Sequence, residues 1–386
     1  MVDGGLIGVV SSQTRVARTS GRVATKSGSP GKVAIAGGAA RLSYIRLFLY
    51  SGFHLPRMQP SRGSDMAEQL NQEAGNVPPR VTIGLPVYNG ENYLAEAIDS
   101  ILGQTHKDFE LIISDNASTD RTEEICRTFA DQDERIRYFR HERNRGASPN
   151  YNFTVEKARG EYFKWAAHDD VLHPAFLEKA VDALDADPNL SLAYSKTRTI
   201  NEHGEVVGTY DKYEDSLRID ALDAHTRFGD LICRQHNCIA IFGLMRTAQL
   251  ARTNLHAAYQ GADRTLLAEM ALLGPIHRIS EYLFDRRDHP GAYTRKEKGF
   301  DRITWWDVDQ ADKITLPTWR RLREYANAVQ RAELPLRERL ICYSQFGRWL
   351  VSPRWYRQNW IRLLRDLVVG RWRYGVRLVR GLISDL

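Results

Sequence analysis

Val81-Thr-Ile-Gly-Leu-Pro-Val87 is a short apolar run that ends in Tyr88-Asn89-Gly90, a turn signal. Directly after the turn, apolar residues recur with helical spacing from Tyr93 to Leu102, which predicts a helix with one buried face. The next apolar run is Phe109-Glu-Leu-Ile-Ile-Ser114. A strand, a helix and a second strand in this order predict a βαβ unit, in which the two strands lie parallel in one sheet.

The same alternation continues along the chain. Further strands are predicted at residues 136–139, 161–167 and 192–195, and further helices over about 120–130, 151–157 and 176–184. The pattern therefore predicts an α/β fold with a mostly parallel sheet flanked by helices. Ligands of such sheets bind beyond the carboxyl ends of the strands.

Polar clusters fall at these strand ends. They are Tyr88-Asn89, Asp115-Asn116, Asn144-Arg145 and His168-Asp169-Asp170. Because the carboxyl ends of parallel strands meet at one edge of a sheet, the clusters are expected to lie together. This coincidence is the main physical indication of a ligand site in the sequence.

The acidic members of these clusters have two interpretations each. Adjacent carboxylates at Asp169 and Asp170 repel each other unless a cation is near, and oxygen ligands suit Mg²⁺ or Mn²⁺. The alternative is an exposed loop that caps the next helix. Asp115 could accept hydrogen bonds from a nucleoside or form an Asx turn. Tyr88 could stack on a base or pack as a surface aromatic.

The net charge of +6 is unevenly distributed. Residues 1–65 carry nine Lys or Arg and two acidic residues, residues 317–386 carry fifteen and five, and the body between them has a net charge of −11. The part that is predicted to fold is acidic, which argues against nucleic acid as a partner.

The four cysteines have no CxxC spacing, and no apolar run reaches the roughly 18 residues of a membrane span.

Residues 1–75 lack useful periodicity and are predicted to be a disordered basic leader. A second interpretation is that Met58 or Met66 is the real start, because organised sequence begins shortly afterwards.

The motifs as a series resemble the family 2 glycosyltransferases. The resemblance covers about residues 80–300 and is carried by Pro86-Val-Tyr-Asn-Gly-Glu-Asn-Tyr-Leu94, Ser100-Ile-Leu-Gly-Gln-Thr105, Glu110-Leu-Ile-Ile-Ser-Asp-Asn-Ala-Ser-Thr-Asp120, Asn144-Arg-Gly146, Ala158-Arg-Gly-Glu-Tyr162 and His168-Asp-Asp170. The family implies a GT-A fold, over residues 76–300, and inverting transfer from a nucleotide-diphosphate sugar to an acceptor hydroxyl on a glycan or a lipid-linked acceptor.

The resemblance also implies site residues. The nucleotide sugar would be bound by Pro86, Tyr88, Asn89, Asp115 and Asn144. Asp169 would contact the ribose or the metal, and Asp170 would hold the Mg²⁺ or Mn²⁺ that bridges the diphosphate. Arg286-Arg287-Asp288-His289 resembles the loop that closes over the diphosphate. Arg286 or Arg287 would pair with phosphate and His289 would bind the metal or phosphate, with a surface turn as the alternative.

An inverting transferase of this family also needs a carboxylate base beyond residue 195. Asp263, before the predicted helix Ala268-Glu-Met-Ala-Leu-Leu-Gly274, is the preferred candidate. Its alternative role is the N-cap of that helix. Glu269 is a weaker candidate, and Asp223 and Asp230 are weaker still.

The tail, residues 301–386, is predicted to be a helical basic extension. From Ile361 to Ile383 an apolar stripe with Trp372 runs beside an Arg face, which favours contact with an anionic membrane. Packing on the catalytic domain or on a second subunit is the alternative, and the oligomeric state stays open. Gln345-Phe-Gly-Arg-Trp349 in the basic extension has the Gln-x-x-Arg-Trp spacing of processive synthases, but no apolar run is long enough for their transmembrane helices, which favours transfer of a single sugar.

These features predict a cytoplasmic enzyme, peripheral on the inner face of the plasma membrane, in cell-envelope glycan or glycolipid synthesis. A degenerate, non-catalytic nucleotide-binding module tethered to membrane is the alternative. Nucleotidyltransferases and dinucleotide enzymes are disfavoured, because the turn after the first strand is not a Gly-rich phosphate loop.

Overall fold

The computed structural model describes residues 77–259, 261–291, 306, 308, 316–354 and 357–368, without the side chains of 353, 354, 357 and 358. The described residues all belong to one unit, Gln69–Leu386. The predicted leader, residues 1–75, lies outside them, as does the tail beyond residue 368.

One half of the central sheet is entirely parallel. Its strands lie in the order β3-β2-β1-β4, with β1 at Val81–Val87, β2 at Phe109–Asp115, β3 at Ile136–Arg140 and β4 at Tyr162–Trp165. The connecting helices are α1 (Leu94–Leu102), α2 (Thr122–Gln132) and α3 (Ala147–Glu156). Every residue of β1, β2 and β4 is buried, as expected for central strands covered on both faces.

The other half of the sheet is mixed. Its strands are β5 (Val171–Leu172), β6 (Leu192–Ile200), β7 (Val206–Thr209), β8 (Leu244–Arg246) and β9 (Ile276–Arg287). The sheet continues from β4 in the order β8-β6-β9-β5, with β7 on β6. Only β6 and β9 pair in parallel here. Strand β8 lies between β4 and β6 and pairs antiparallel with both. The predicted α/β fold is confirmed, and the parallel arrangement belongs to its first half.

Five helices and a turn accompany these strands. They are α4 (Phe176–Ala186), α5 (Asp211–Glu214), α6 (Ala224–Cys233), α7 (Thr247–Leu250), α8 (Ala262–Leu273) and a 3₁₀ turn at Ile239–Phe242. Helix α8 ends at Gly274, as the Gly-Pro stop in the sequence predicts.

Pro86 lies inside β1, a strand with neighbours on both sides. A proline there cannot donate to a neighbour, and it is tolerated because β4 pairs with β1 only as far as Gly84. Beyond Gly84, β1 has no partner in β4, and the chain that follows β4 leads to Asp169 and Asp170. The sheet therefore has a gap at the end of β1, on the side where the acidic pair follows β4.

The extension after residue 316 is helical, as predicted. It contains α9 (Pro317–Arg331), α10 (Leu336–Val351), the short strands β10 (Pro353–Arg354) and β11 (Arg357–Gln358), and a helix over 359–368, named α11. Helices α9 and α10 share a second apolar core with α6 and α8, formed by Phe228, Ile232, Ala268, Leu272, Tyr325, Val329, Cys342 and Trp349. Among the residues described, no helix combines the length and apolar character needed to cross a bilayer.

Candidate active site

The acidic pair lies just beyond β4 and is mostly buried. Asp170 is 7 % exposed, and one of its oxygens accepts the backbone N–H of Arg287 at 2.9 Å. Nε2 of His289 lies 3.1 Å from an Asp169 oxygen and donates to it. Burial and the neighbouring Asp169 charge raise the pKa of Asp170. Two carboxylates and an imidazole therefore meet here, where an added cation would relieve the repulsion.

Arg287 holds this arrangement together. Its guanidinium donates to the Asp169 carbonyl at 2.9 Å, to the Asn201 carbonyl at 3.2 Å and to Glu96 at 2.6 Å, and it lies over the ring of Tyr93. The side chain is almost fully buried. These contacts occupy all three of its nitrogens, so its geometry is that of a supporting residue.

Arg286 is placed differently. One nitrogen donates to the hydroxyl of Tyr210 at 2.8 Å, and the guanidinium lies over the Tyr210 ring. The side chain is only partly buried, and its charge lowers the pKa of Asp170. Of the two predicted phosphate-binding arginines, Arg286 therefore has the nitrogens to spare.

Asp263 is the second residue of α8. The N-cap is Gly261, whose φ of 91° lies in the left-handed region that favours glycine, and no side chain caps the helix. The alternative role of Asp263 as the N-cap is therefore wrong. Within the described part of the chain, no hydrogen bond or ion pair engages the Asp263 carboxylate, and the side chain is half-buried.

Tyr151 of α3 is affected by both Asp263 and the acidic pair. Burial raises the pKa of its phenol, and the charges of Asp169, Asp170 and Asp263 raise it further. The three carboxylates that were selected separately in the sequence therefore act electrostatically on one phenol. Tyr151 was missed, because an aromatic residue in an amphipathic helix normally indicates only core packing.

His256 adjoins the same aromatic group. Its ring lies 4.8 Å from the rings of both Tyr151 and Trp165, and both ring nitrogens are buried without a hydrogen bond to any described residue. Burial lowers the pKa of His256 to about 4, so the ring is neutral at neutral pH. Its single donor and single acceptor are therefore buried, within electrostatic reach of Asp263.

The predicted nucleoside-binding residues gather at the ends of β1 and β2, where Val87 pairs with Asp115. Asp115 is fully buried and accepts the Ser118 N–H and the Tyr138 hydroxyl, both at 2.8 Å, while Arg140 lies 3.5 Å away. Its oxygens therefore already organise the loop after β2. The bond from Ser118 spans three residues, whereas an Asx turn spans two, so the loop differs from the turn of the alternative interpretation.

The other residues of this group differ in availability. Tyr88 is 44 % exposed, so its ring is open to a stacking partner. Asn89 has a φ of 52° and accepts the Thr119 N–H at 2.8 Å. Asn144 accepts the Asn116 amide at 2.9 Å, which ties the loop after β3 to the end of β2. Tyr88 and Asn89 are the two exposed residues of this group.

Two of the three rival carboxylates are engaged elsewhere. Glu269 is buried and pairs with Arg331 at 2.5 Å, and Asp230 is buried and pairs with two arginines. Asp223 is exposed at the N-cap of α6, near His225 and Glu338, and its carboxylate makes no cap bond.

Comparison with known proteins identifies the domain. Residues 82–242 match the family model described as Glycosyl transferase family 2. An uncharacterized glycosyltransferase of Rickettsia felis is 36 % identical over 148 residues, which are 38 % of this chain and 24 % of that protein. An uncharacterized glycosyltransferase of Methanocaldococcus jannaschii is 34 % identical over 140 residues, which are 35 % of this chain and 48 % of that protein. The chain spans less than half the length of these relatives.

The fold has solved counterparts. The structure of S. aureus TarS 1–349 in complex with UDP-GlcNAc superposes with a TM-score of 0.52 at 17 % identity, covering 70 % of this chain and 72 % of that one. Identity this low establishes a shared architecture only. Together with the family match, this superposition is sufficient to assign the fold. Residues 82–242 therefore match glycosyl transferase family 2, and the fold is that of the GT-A glycosyltransferases.

Proposed function

We propose that the protein is an inverting glycosyltransferase that moves one sugar from a nucleotide-diphosphate sugar to an acceptor hydroxyl, in cell-envelope glycan or glycolipid synthesis. The observation that supports the proposal is the acidic pair just beyond β4, where Asp170 is buried next to Asp169 and Asp169 pairs with His289. The charges of Asp169, Asp170 and Asp263 all act on Tyr151, so the candidate cation site and the candidate base share one electrostatic environment. The carboxylate of Asp263 suits a base better than those of Glu269 and Asp230, which are paired with arginines.

The donor types suit a divalent cation, although among the described residues it is Asp223, His225 and Glu338 whose ligand atoms all lie within 4.8 Å of one another. Asp170 has one oxygen without a hydrogen bond to any described residue, and the adjacent Asp169 pairs with His289. Asp169 and Asp170, with His289, would hold Mg²⁺ or Mn²⁺. When bound, such an ion supplies positive charge to a leaving diphosphate.

The residues of the chain have distinct roles in this proposal. Tyr88 stacks on the base, while Pro86, Asn89, Asp115 and Asn144 shape the nucleoside pocket. Arg286 pairs with phosphate, and Arg287 keeps the acidic pair in place. Asp263 accepts the proton of the acceptor hydroxyl as that oxygen attacks the anomeric carbon, and the nucleoside diphosphate leaves from the opposite face. The complexes of TarS with UDP and UDP-GlcNAc support a nucleotide sugar as the donor class.

Two substitutions test the proposal. Asp170→Ala should abolish metal-dependent hydrolysis of nucleotide sugars, the reaction with water that transferases carry out when no acceptor is present. Asp263→Asn should retain donor binding in calorimetry yet reduce transfer about a hundredfold or more. A screen of nucleotide sugars by thermal shift, with Mg²⁺ or Mn²⁺, selects the donor first. Metal-independent donor binding without turnover would instead support the non-catalytic module.

We further propose that α11 contacts an anionic membrane. Its outer side exposes apolar side chains, namely Trp360, Leu364, Leu367 and Val368, and the Arg365 side chain is 59 % exposed beside them. Leu363 and Asp366 face inward, and Asp366 accepts the Thr318 N–H at 2.7 Å, which holds α11 against α9. A fixed helix with an apolar and basic outer side is typical of interfacial helices.

A further inference from the structure

The helix that carries Asp263 is covered by the C-terminal extension. Ala268 and Leu272 of α8 pack into the second core against Tyr325 and Val329 of α9. Helix α8 and the extension both lie outside residues 82–242, the segment that matches the family model. The support of Asp263 is therefore supplied by this chain's own C-terminal elements.

The start of α8 is fixed by two adjacent arginines of α9. Arg320 donates to the Ala258 carbonyl at 3.1 Å and lies over the ring of Tyr259. The guanidinium of Arg321 covers Gly261, where a Cβ atom would lie 2.6 Å from one of its nitrogens. The loop that enters α8 therefore rests on α9, two residues before Asp263.

The middle of α8 is held by a buried ion pair. Glu269 is 4 % exposed; one oxygen accepts the Asn254 N–H at 2.7 Å and the other accepts from Arg331 at 2.5 Å. Asn254 lies in the loop that leads to α8, and Arg331 is the last residue of α9. Glu269 thus joins the loop, α8 and α9 at one point.

We propose that Arg331 is a positioning residue, which holds Asp263 in place through its ion pair with Glu269 on α8. The proposal rests on the proposed function, because it takes Asp263 to be the base. Asp263 has no side-chain partner of its own in the described structure, so its position depends on the placement of α8. Small displacements of a catalytic group reduce the rate of the chemical step more than they reduce substrate binding.

The test compares substitutions in the full chain. Arg331→Met should lower kcat for sugar transfer about tenfold or more, with the donor KM unchanged. Arg331→Lys, which keeps a charged donor, should restore most of kcat. Arg252→Met is the matched control, because Arg252 lies near the same ion pair but binds the exposed Glu333, and it should transfer like wild type.

A double variant separates positioning from stability. In Arg331→Met alone, Glu269 is a buried charge without its partner, which lowers the thermal midpoint. Adding Glu269→Gln removes that charge and should restore the midpoint while kcat stays low. Recovery of kcat together with the midpoint would show that the pair serves stability alone, and would overturn the proposal.

Asp263→Asn, measured in parallel, keeps the two proposals distinguishable. If it abolishes transfer while Arg331→Met transfers like wild type, only the positioning role fails. If Asp263→Asn itself transfers normally, the assignment of the base fails, and the positioning role fails with it.

Discussion

Arg287 shows what a single residue contributes to the acidic pair. Its side chain reaches Glu96 at the start of the domain and Asn201 beyond β6, while its own N–H binds Asp170. In the sequence, Arg286 and Arg287 are equivalent candidates for phosphate binding, because both belong to the stretch that resembles a diphosphate-binding loop. Only the distant partners distinguish Arg287, which supports the pair, from Arg286, which keeps free nitrogens.

Metal binding should depend on pH through Asp170. Its pKa is raised by burial and by Asp169, so a proton occupies the pair over a wider pH range than usual. A cation must displace that proton, and its affinity should therefore fall as the pH falls below neutrality. Calorimetric titration with Mn²⁺ over a pH series measures the effect.

Asp170→Asn provides the control for this titration, because its side chain holds no titratable proton. Its Mn²⁺ binding should be weak at every pH, with a flatter pH dependence. A wild-type affinity that is constant from acid to neutral pH would contradict the prediction.

At the scale of elements, α6 is anchored by one buried carboxylate. Asp230 is fully buried and accepts from Arg218 through the backbone and the guanidinium, with Arg234 at 3.1 Å. Burial alone would raise the pKa of Asp230, but these bonds and charges lower it below its ordinary value. A lowered carboxyl pKa stabilises the fold at neutral pH, and this stabilisation disappears as the pH falls below about 4.

Asp230→Asn should therefore lower the free energy of unfolding at neutral pH by about 1–3 kcal/mol. The difference in unfolding free energy between variant and wild type should shrink in acid, because protonation removes the stabilising carboxylate charge from the wild type too. Urea unfolding at both pH values measures it, with the exposed Asp220→Asn as the control. An equal deficit at both pH values would exclude the ionised carboxylate as its source.

The sequence was sufficient for the parallel half of the sheet, because β1 to β4 are each a local apolar run with a turn signal. Strands β5, β7 and β8 were missed. They have two to four residues, and their pairing depends on distant strands rather than on local pattern. The charged end of β9 pairs along β6 as far as Arg287, which local apolar pattern does not indicate.

The candidate site was predictable to the same extent. Asp115, Asp169 and Asp170 follow local strands, and Asp263 lies at the start of a local helix, so their positions could be inferred. The partners of the acidic pair could not be, because Arg287 and His289 lie more than 100 residues downstream and reach it only in the folded sheet.

At the scale of the whole molecule, the basic charge of the tail and the exposed apolar side of α11 both favour contact with an anionic membrane. Leu364→Glu with Val368→Glu should reduce co-sedimentation with phosphatidylglycerol vesicles, because it replaces exposed apolar contacts with like charge. Both positions are exposed, so the fold should be retained. Deleting α11 would be a poorer test, since Leu363 and Asp366 pack inward.

Leu222→Glu is the control, because Leu222 is an exposed leucine outside α11. It should sediment with the vesicles like wild type, and neutral phosphatidylcholine vesicles should bind all variants weakly. Equal sedimentation of wild type and the double variant would exclude α11 as the membrane contact.

The position of Arg287 in the chain has a consequence for biosynthesis. It binds Asp170 from 117 residues downstream, on a strand that must enter the sheet beside β6. At ribosomal speeds of about 5–20 residues per second, that interval lasts roughly 6 to 23 seconds. During it, a nascent polypeptide carries the two carboxylates without their support. We therefore expect incomplete chains to be inert, so that growing polypeptides do not hydrolyse the cell's activated sugars.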